Sequence, residues 1–224
     1  MRIVDCYLRA LQKAEENMTN GGIKLDKARF VQLFNDEQNR LVRYILDKKN
    51  EEDIRYIQKL VVYSKELDDR GDKDNPESIL FSLPSDFFSF SNISGVFTKG
   101  ECTVTDFTMW EAKNENVHEL LGDDNNRPSF DYRETFYTIG DGKAVVYEDG
   151  FRTEEVRMTY YRNPVRVDLA GYINAAGERS TDIDPELPDP LVEEILDMVA
   201  KQFNLNENEL QRYRSDKDNV ASFR

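Results

Sequence analysis

The segment opened by Leu187-Pro188-Asp189-Pro190 constrains the fold most. Asp189 can cap a helix, and Pro190 suits the first helical position. Glu193 and Glu194 add negative charge where a helix N-terminus favours it. Behind them Leu191, Val192, Ile195, Leu196, Val199 and Phe203 gather on one side. A helix so apolar on one face must bury it, and only the helical pattern at the other end of the chain offers partners. Whatever lies between is therefore read as an insertion.

That N-terminal pattern begins at once. Val4, Tyr7, Leu8 and Leu11 recur at the three-and-four spacing of one helix face, with Arg9, Lys13, Glu15 and Glu16 elsewhere. Asn20-Gly21-Gly22 ends this helix, and Asp26 can cap the next. The second helix carries Phe30, Leu33, Phe34, Leu41, Tyr44 and Ile45 on one side. A third periodic segment starts at Asp53 with Ile54, Ile57, Leu60 and Val61, and runs to the polar stretch 68–76. Three helices with short joints predict a bundle.

After Pro76 the pattern changes. Phe81, Phe87, Phe88, Phe90, Ile93, Val96 and Phe97 arrive with Ser, Thr and Gly between them, as in strands and turns. Further strands are predicted at 102–112, 135–139, 144–148 and 156–161, and Gly140-Asp141-Gly142 is a short hairpin loop. In the last strand Val156, Met158 and Tyr160 alternate with Arg157 and Thr159, which gives the sheet one wet face. Residues 115–129 read as a long surface loop. The expected fold class is α+β: a helical bundle from 1–75 and 186–214, an inserted antiparallel β domain at 76–185, and an extended C-terminal tail at 215–224. No internal repeat is visible.

Composition excludes several functions. With 44 Asp+Glu against 30 Lys+Arg, a formal charge of −14 and no basic cluster, the chain is a poor match to the phosphate backbone of nucleic acid. Thirteen Phe and 11 Tyr nevertheless demand a folded core. No apolar run nears the roughly 20 residues that cross a bilayer, and Asp5 and Arg9 break the start before a signal core could form. A soluble protein made in a cytoplasm is expected. Cys6 and Cys102 lie far apart and without a CxxC, so both are expected reduced and half-buried.

Catalytic patterns are missing. His118, the one imidazole, sits in the polar stretch 114–118 and reads as a surface histidine. No GxSxG, GxxxxGK[ST] or GxGxxG occurs. Asp123-Asp124-Asn125-Asn126 with Glu134 has calcium-loop spacing, but Arg127 and Pro128 stand where that loop needs an oxygen ligand and a glycine. Any hydrolytic carboxylate pair would be lost among 44 candidates. No catalytic residue, metal ligand or cofactor is expected. Phe87, Phe88, Phe90, Tyr160 and Tyr161, lacking interleaved cations, read as core or interface rather than base-stacking platforms. Tyr161-Arg162 is expected at the surface, as an anchor for a partner.

Four stretches then stand in a telling order: Phe34-Asn35-Asp36-Glu37-Gln38, Leu83-Pro84-Ser85-Asp86-Phe87, Tyr160-Tyr161-Arg162-Asn163-Pro164 and Leu187-Pro188-Asp189-Pro190-Leu191-Val192. Together they resemble the head-to-tail connector, or adaptor ring, proteins of short-tailed bacteriophages, including those of crAss-like phages. The resemblance spans most of the chain and rests on short structural motifs. Family members often show Asn-Ala-Gln where this chain has Asn35-Asp36-Glu37-Gln38.

The resemblance implies a structural virion protein at the head-tail junction, not an enzyme. It would bind under the portal as a ring, commonly of twelve copies, and extend the DNA channel toward the tail. Its implied partners are the portal protein, tail or second-ring proteins and further copies of itself, with no membrane. DNA would pass through the lumen without specific binding. Twelve such subunits would carry roughly −170, a wall that repels DNA. The polar tail beyond Tyr213 holds two apolar anchors, Val220 and Phe223, suited to folding on a partner. Expected partner contacts are Tyr161, Arg162, Tyr213, Val220 and Phe223. Two other readings stay open: a virion-associated or host-interacting binding module without ring formation, and a carboxylate-dependent hydrolase.

Overall fold

The computed structural model describes residues 1–16, 25–69, 77–173 and 177–222, and the chain is mixed α+β. Among the described residues the helices are α1 (Ile3–Glu16), α2 (Lys27–Lys48), α3 (Glu51–Tyr56), α4 (Val117–Gly122) and α5 (Asp189–Ser222). The strands are β1 (Val61–Glu66), β2 (Asp68–Asp69), β3 (Ser78–Ser82), β4 (Phe87–Lys99), β5 (Cys102–Val104), β6 (Thr108–Glu111), β7 (Glu134–Gly140), β8 (Lys143–Tyr147) and β9 (Arg152–Arg162). Two compact units result: Met1–Lys59 with Pro164–Arg224, and Leu60–Asn163. The expected boundaries at 75/76 and 185/186 thus move to 59/60 and 163/164.

In the first unit α5 packs on both α1 and α2. The α1 face that is buried consists of Ile3, Cys6, Ala10 and Ala14. Small side chains there leave room for Val192, Ile195, Leu196 and Val199 of α5, all fully buried. The expected face is half right: Tyr7 and Leu11 are half-buried, Tyr7 edge-on to Phe30 at 5.3 Å, but Val4 and Leu8 are 41% and 53% exposed. Charges flank the seam, where Arg9 pairs with Glu193 and Lys13 reaches both Glu193 (3.4 Å) and Asp197. Asp26 caps α2 by accepting from Arg29 N at 2.9 Å, as its position in the sequence predicts. Phe30, Phe34, Leu41 and Ile45 are buried, but Tyr44 is 54% exposed.

The third helix stops early. Asn50 caps α3, accepting from Glu52 N at 3.2 Å, yet the helix ends at Tyr56 and a single 3-10 turn leads into β1. Val61, Val62 and Tyr63 suit a strand, and β9 supplies the backbone partners that a lone helix end would lack. At the other terminus the tail expected to be extended is helical through Ser222. No Gly or Pro interrupts 191–222, so nothing local stops the hydrogen-bond ladder.

The second unit holds two sheets, ordered β1-β9-β4-β5 and β2-β3-β8-β7-β6. Val156, Met158 and Tyr160 of β9 are fully buried, and their alternation is the one read from the sequence. They join Phe81, Ile93, Phe97, Tyr137 and Val146 in one core. Gly95 belongs to the close packing: a Cβ there would lie 2.8 Å from Phe97 Cζ and 3.1 Å from the Glu155 carbonyl oxygen. Asp141 and Gly142 have φ of 49° and 68° and close the β7–β8 hairpin as expected.

Three expectations change here. The strand expected at 102–112 is two strands in different sheets, and Phe107 in the break stacks on Phe97 at 4.1 Å. β6 pairs with β7 in parallel, Trp110 opposite Phe136, so the β unit is not wholly antiparallel. A parallel pair needs a crossover of a dozen or more residues. The stretch expected to be a surface loop supplies it, and carries a 3-10 turn and α4.

Candidate interaction surfaces

The four motif stretches are architectural clasps. In the first unit Asn35 Oδ1 accepts from Val167 N at 2.9 Å, while its Nδ2 donates to the carbonyls of Val167 (3.0 Å) and Val31 (2.8 Å). One turn on, Gln38 Nε2 donates to Val165 O at 3.1 Å. The two amides hold residues 165–167 against α2 much as a neighbouring strand would. Asp184 Oδ1 accepts from Ile3 N at 2.7 Å, and Pro188 O accepts from Leu191 and Val192 N at 3.0 and 3.1 Å. These bonds satisfy backbone donors at the starts of α1 and α5.

In the second unit the Leu83–Phe87 stretch meets Tyr160 and Asn163. Tyr160 OH donates to Asp86 Oδ1 at 2.8 Å, and Asn163 N donates to Asp86 O at 2.7 Å. Asn163 Nδ2 donates to the carbonyls of Asp86 and Phe87, both at 3.2 Å. Burial, then the bond to Asp86, push the Tyr160 phenol up to about 12.

Of the expected partner contacts, Tyr161 and Arg162 end β9 and are half-buried rather than exposed. Tyr161 lies between Val61 and Ser89 on neighbouring strands, and burial raises its phenol pKa. Alternation turns Tyr161 to the sheet face opposite the buried Tyr160. Tyr63, two residues along β1 from Val61, is 72% exposed. Tyr213 and Val220 fall on α5, and Phe223 lies outside the described residues.

The acidic stretch near residue 123 is internally satisfied. Asp123 accepts from Asn125 N at 3.0 Å and from Asn126 Nδ2 at 2.6 Å, bonds that lower its carboxyl pKa. Arg127 sits between Asp124 (3.5 Å) and Asp149 (3.4 Å). Among the described residues no group of three or more His, Cys, Asp or Glu is placed to hold a metal ion. His118 is exposed on α4. Neither cysteine is half-buried: Cys102 is exposed, and Cys6 is buried, its thiol pushed up to about 11 by desolvation. No described helix is long and apolar enough to cross a membrane.

The sequence reading missed one surface. Between α2 and α5, within the first unit, runs a groove of about 500 Å³. Glu37, Leu41 and Tyr44 line it from α2, and Met198, Lys201 and Leu205 from α5, each set at helical spacing along one face. Glu37 is only 6% exposed. Its Oε1 lies 3.6 Å from Arg40 Nη1, beyond hydrogen-bond reach, and its Oε2 has no hydrogen-bond partner. The available signal was a carboxylate three residues after Phe34 and four before Leu41, on the packed face. No protein-family model matches the chain, and no curated protein matches it.

Proposed function

We propose that the chain is a structural virion protein, a head-to-tail connector of a short-tailed bacteriophage that forms a ring between portal and tail and extends the DNA channel. One observation carries the reading: the residues on which the resemblance rests serve architecture. Asn35, Gln38, Asp86, Tyr160 and Asn163 all engage the chain's own backbone or one another. A β unit threaded into a helical unit is the organisation such a subunit would carry. In this proposal α1, α2 and α5 form the helical bundle, and the work done is assembly rather than catalysis. Portal, tail or second-ring proteins and about eleven further copies are the partners. Tyr161, Arg162, Tyr213, Val220 and Phe223 are the proposed contacts. A net charge of −14 per subunit favours passage of DNA over adhesion.

A second reading has its own support. Tyr63 and Tyr132 of the β unit are 72% and 82% exposed, and exposed tyrosines are common anchors of recognition surfaces. In that case the chain is a virion-associated or host-interacting binding module. Mixing the purified chain with the portal ring of the same phage and measuring mass by light scattering separates the two. One subunit bound per portal subunit is the connector outcome. A folded monomer that ignores the portal would retire it in favour of the binding module.

A further inference from the structure

Two apolar surfaces of the first unit share a spacing and differ in shape. On α1, Val4, Leu8 and Leu11 recur at the four-and-three spacing of one ridge, Val4 41% and Leu8 53% exposed and Leu11 half-buried. Between α2 and α5 the groove of about 500 Å³ offers Leu41 and Tyr44 on one wall, and Met198 and Leu205 on the other. A single helix laid between two others is the usual way to fill such a groove. Within one copy α1 is already fixed by its opposite, buried face against α5, so the groove its ridge can enter is that of another copy.

We infer that the α1 ridge of one copy lies in the α2–α5 groove of the next; this rests on the ring proposed above and supplies its copy-to-copy joint. Spacing sets the register: Val4 and Leu11 stand seven residues apart, as Met198 and Leu205 do. Charge sets the direction, because only α1 parallel to α5 brings Arg2 to Glu194, with Asp5 falling toward Lys201. Both signs on the groove rim are then answered by both signs beside the ridge. Arg2 and Asp5 pair with each other at 3.1 Å, but on the exposed helix surface, where such a bond is worth little. The contact is heterologous: each copy gives one ridge and one groove, and neither apolar surface is left uncovered. With only three side chains in its ridge, it is weak between free chains and multiplied when copies are held side by side.

The test mixes two full-length variants, Leu8→Cys and Leu205→Cys, each also carrying Cys102→Ser because Cys102 is exposed while Cys6 is fully buried. A short bismaleimide is added to the concentrated free chains, and to the chains mixed with the portal ring. A cross-linked pair is expected from the mixture and from neither variant by itself. Val4→Asp in the ridge chain should cut the yield about tenfold without lowering the melting temperature. Arg2→Glu in the same chain should cut it about threefold, and Glu194→Arg in the groove chain should restore it. Ring stoichiometry on the portal without a cross-link would overturn this joint and leave the connector reading standing. No binding to the portal would remove the connector reading, and the free chains would then decide the joint alone: a cross-link from the mixture keeps it, and none sinks it. Equal cross-linking of Leu8→Cys by itself would put a two-fold contact in place of the head-to-tail one and overturn the assignment.

Discussion

Each polar atom of the Asn35 side-chain amide is used by the chain's own backbone, two of its bonds reaching Val167, 132 residues away. Asn35→Ala would leave the buried backbone groups of Val167 unpaired, and should cost about 2 to 3 kcal/mol in urea unfolding. Asn35→Asp should cost as much, because a carboxylate accepts from Val167 N but cannot donate to its carbonyl. Gly95→Ala should cost about 1 to 3 kcal/mol, since Phe97 is fully buried and its ring cannot yield. Tyr137, Tyr160 and Tyr172 define the alkaline limit, each phenol pushed from 10.0 to about 12, chiefly by burial. The folded state holds these protons more tightly than the unfolded chain. Their contribution is therefore complete below pH 10 and lost as pH rises toward 12. Circular dichroism against pH should show unfolding within that window, and Tyr160→Phe should make its loss shallower. The residues of these clasps were visible in the sequence, but their roles were not: a partner 132 residues distant leaves no local trace.

Elements were legible where two independent signals agreed. Helix α2 has both a capping Asp26 and a buried apolar face, and β9 has both alternation and a turn behind it. Where one signal stood alone it misled. Ile54, Ile57, Leu60 and Val61 keep helical spacing, but the β-branched residues that follow pair with β9 instead. On α1 Val4 and Leu8 face outward, while α5 fits against the face that carries Ala10 and Ala14; size complementarity between two helices is not written in either alone. Parallel pairing of β6 with β7 was equally hidden, since strand direction is set by a crossover rather than by strand composition. Helix α5 carries a prediction of its own. Residues 215–224 are polar apart from Val220, Ala221 and Phe223, so deleting them should leave the urea midpoint unchanged. If the connector proposal holds, the same deletion should weaken portal binding in light scattering. Normal binding by the truncated chain would remove the C-terminal residues from the proposed contacts.

At the scale of the whole molecule the chain passes between units at 59/60 and 163/164, and the ends of the β unit are neighbours. Val61 pairs directly with Tyr161 across β1 and β9. A unit whose ends are adjacent can be lifted out, so residues 60–163 expressed alone should fold with their own cooperative melt. A fragment that stays unfolded would show that the aromatic core is insufficient by itself. The same adjacency governs how the molecule would bear load. Tension applied between α1 and α5 acts within the first unit, and bypasses the sheets while that unit holds. Once it gives way, the pull arrives at the paired ends of β1 and β9 and opens their hydrogen bonds one at a time, like a zip rather than a lap joint. The β unit would then come apart at low force, so under tension its mechanical protection would come from the first unit.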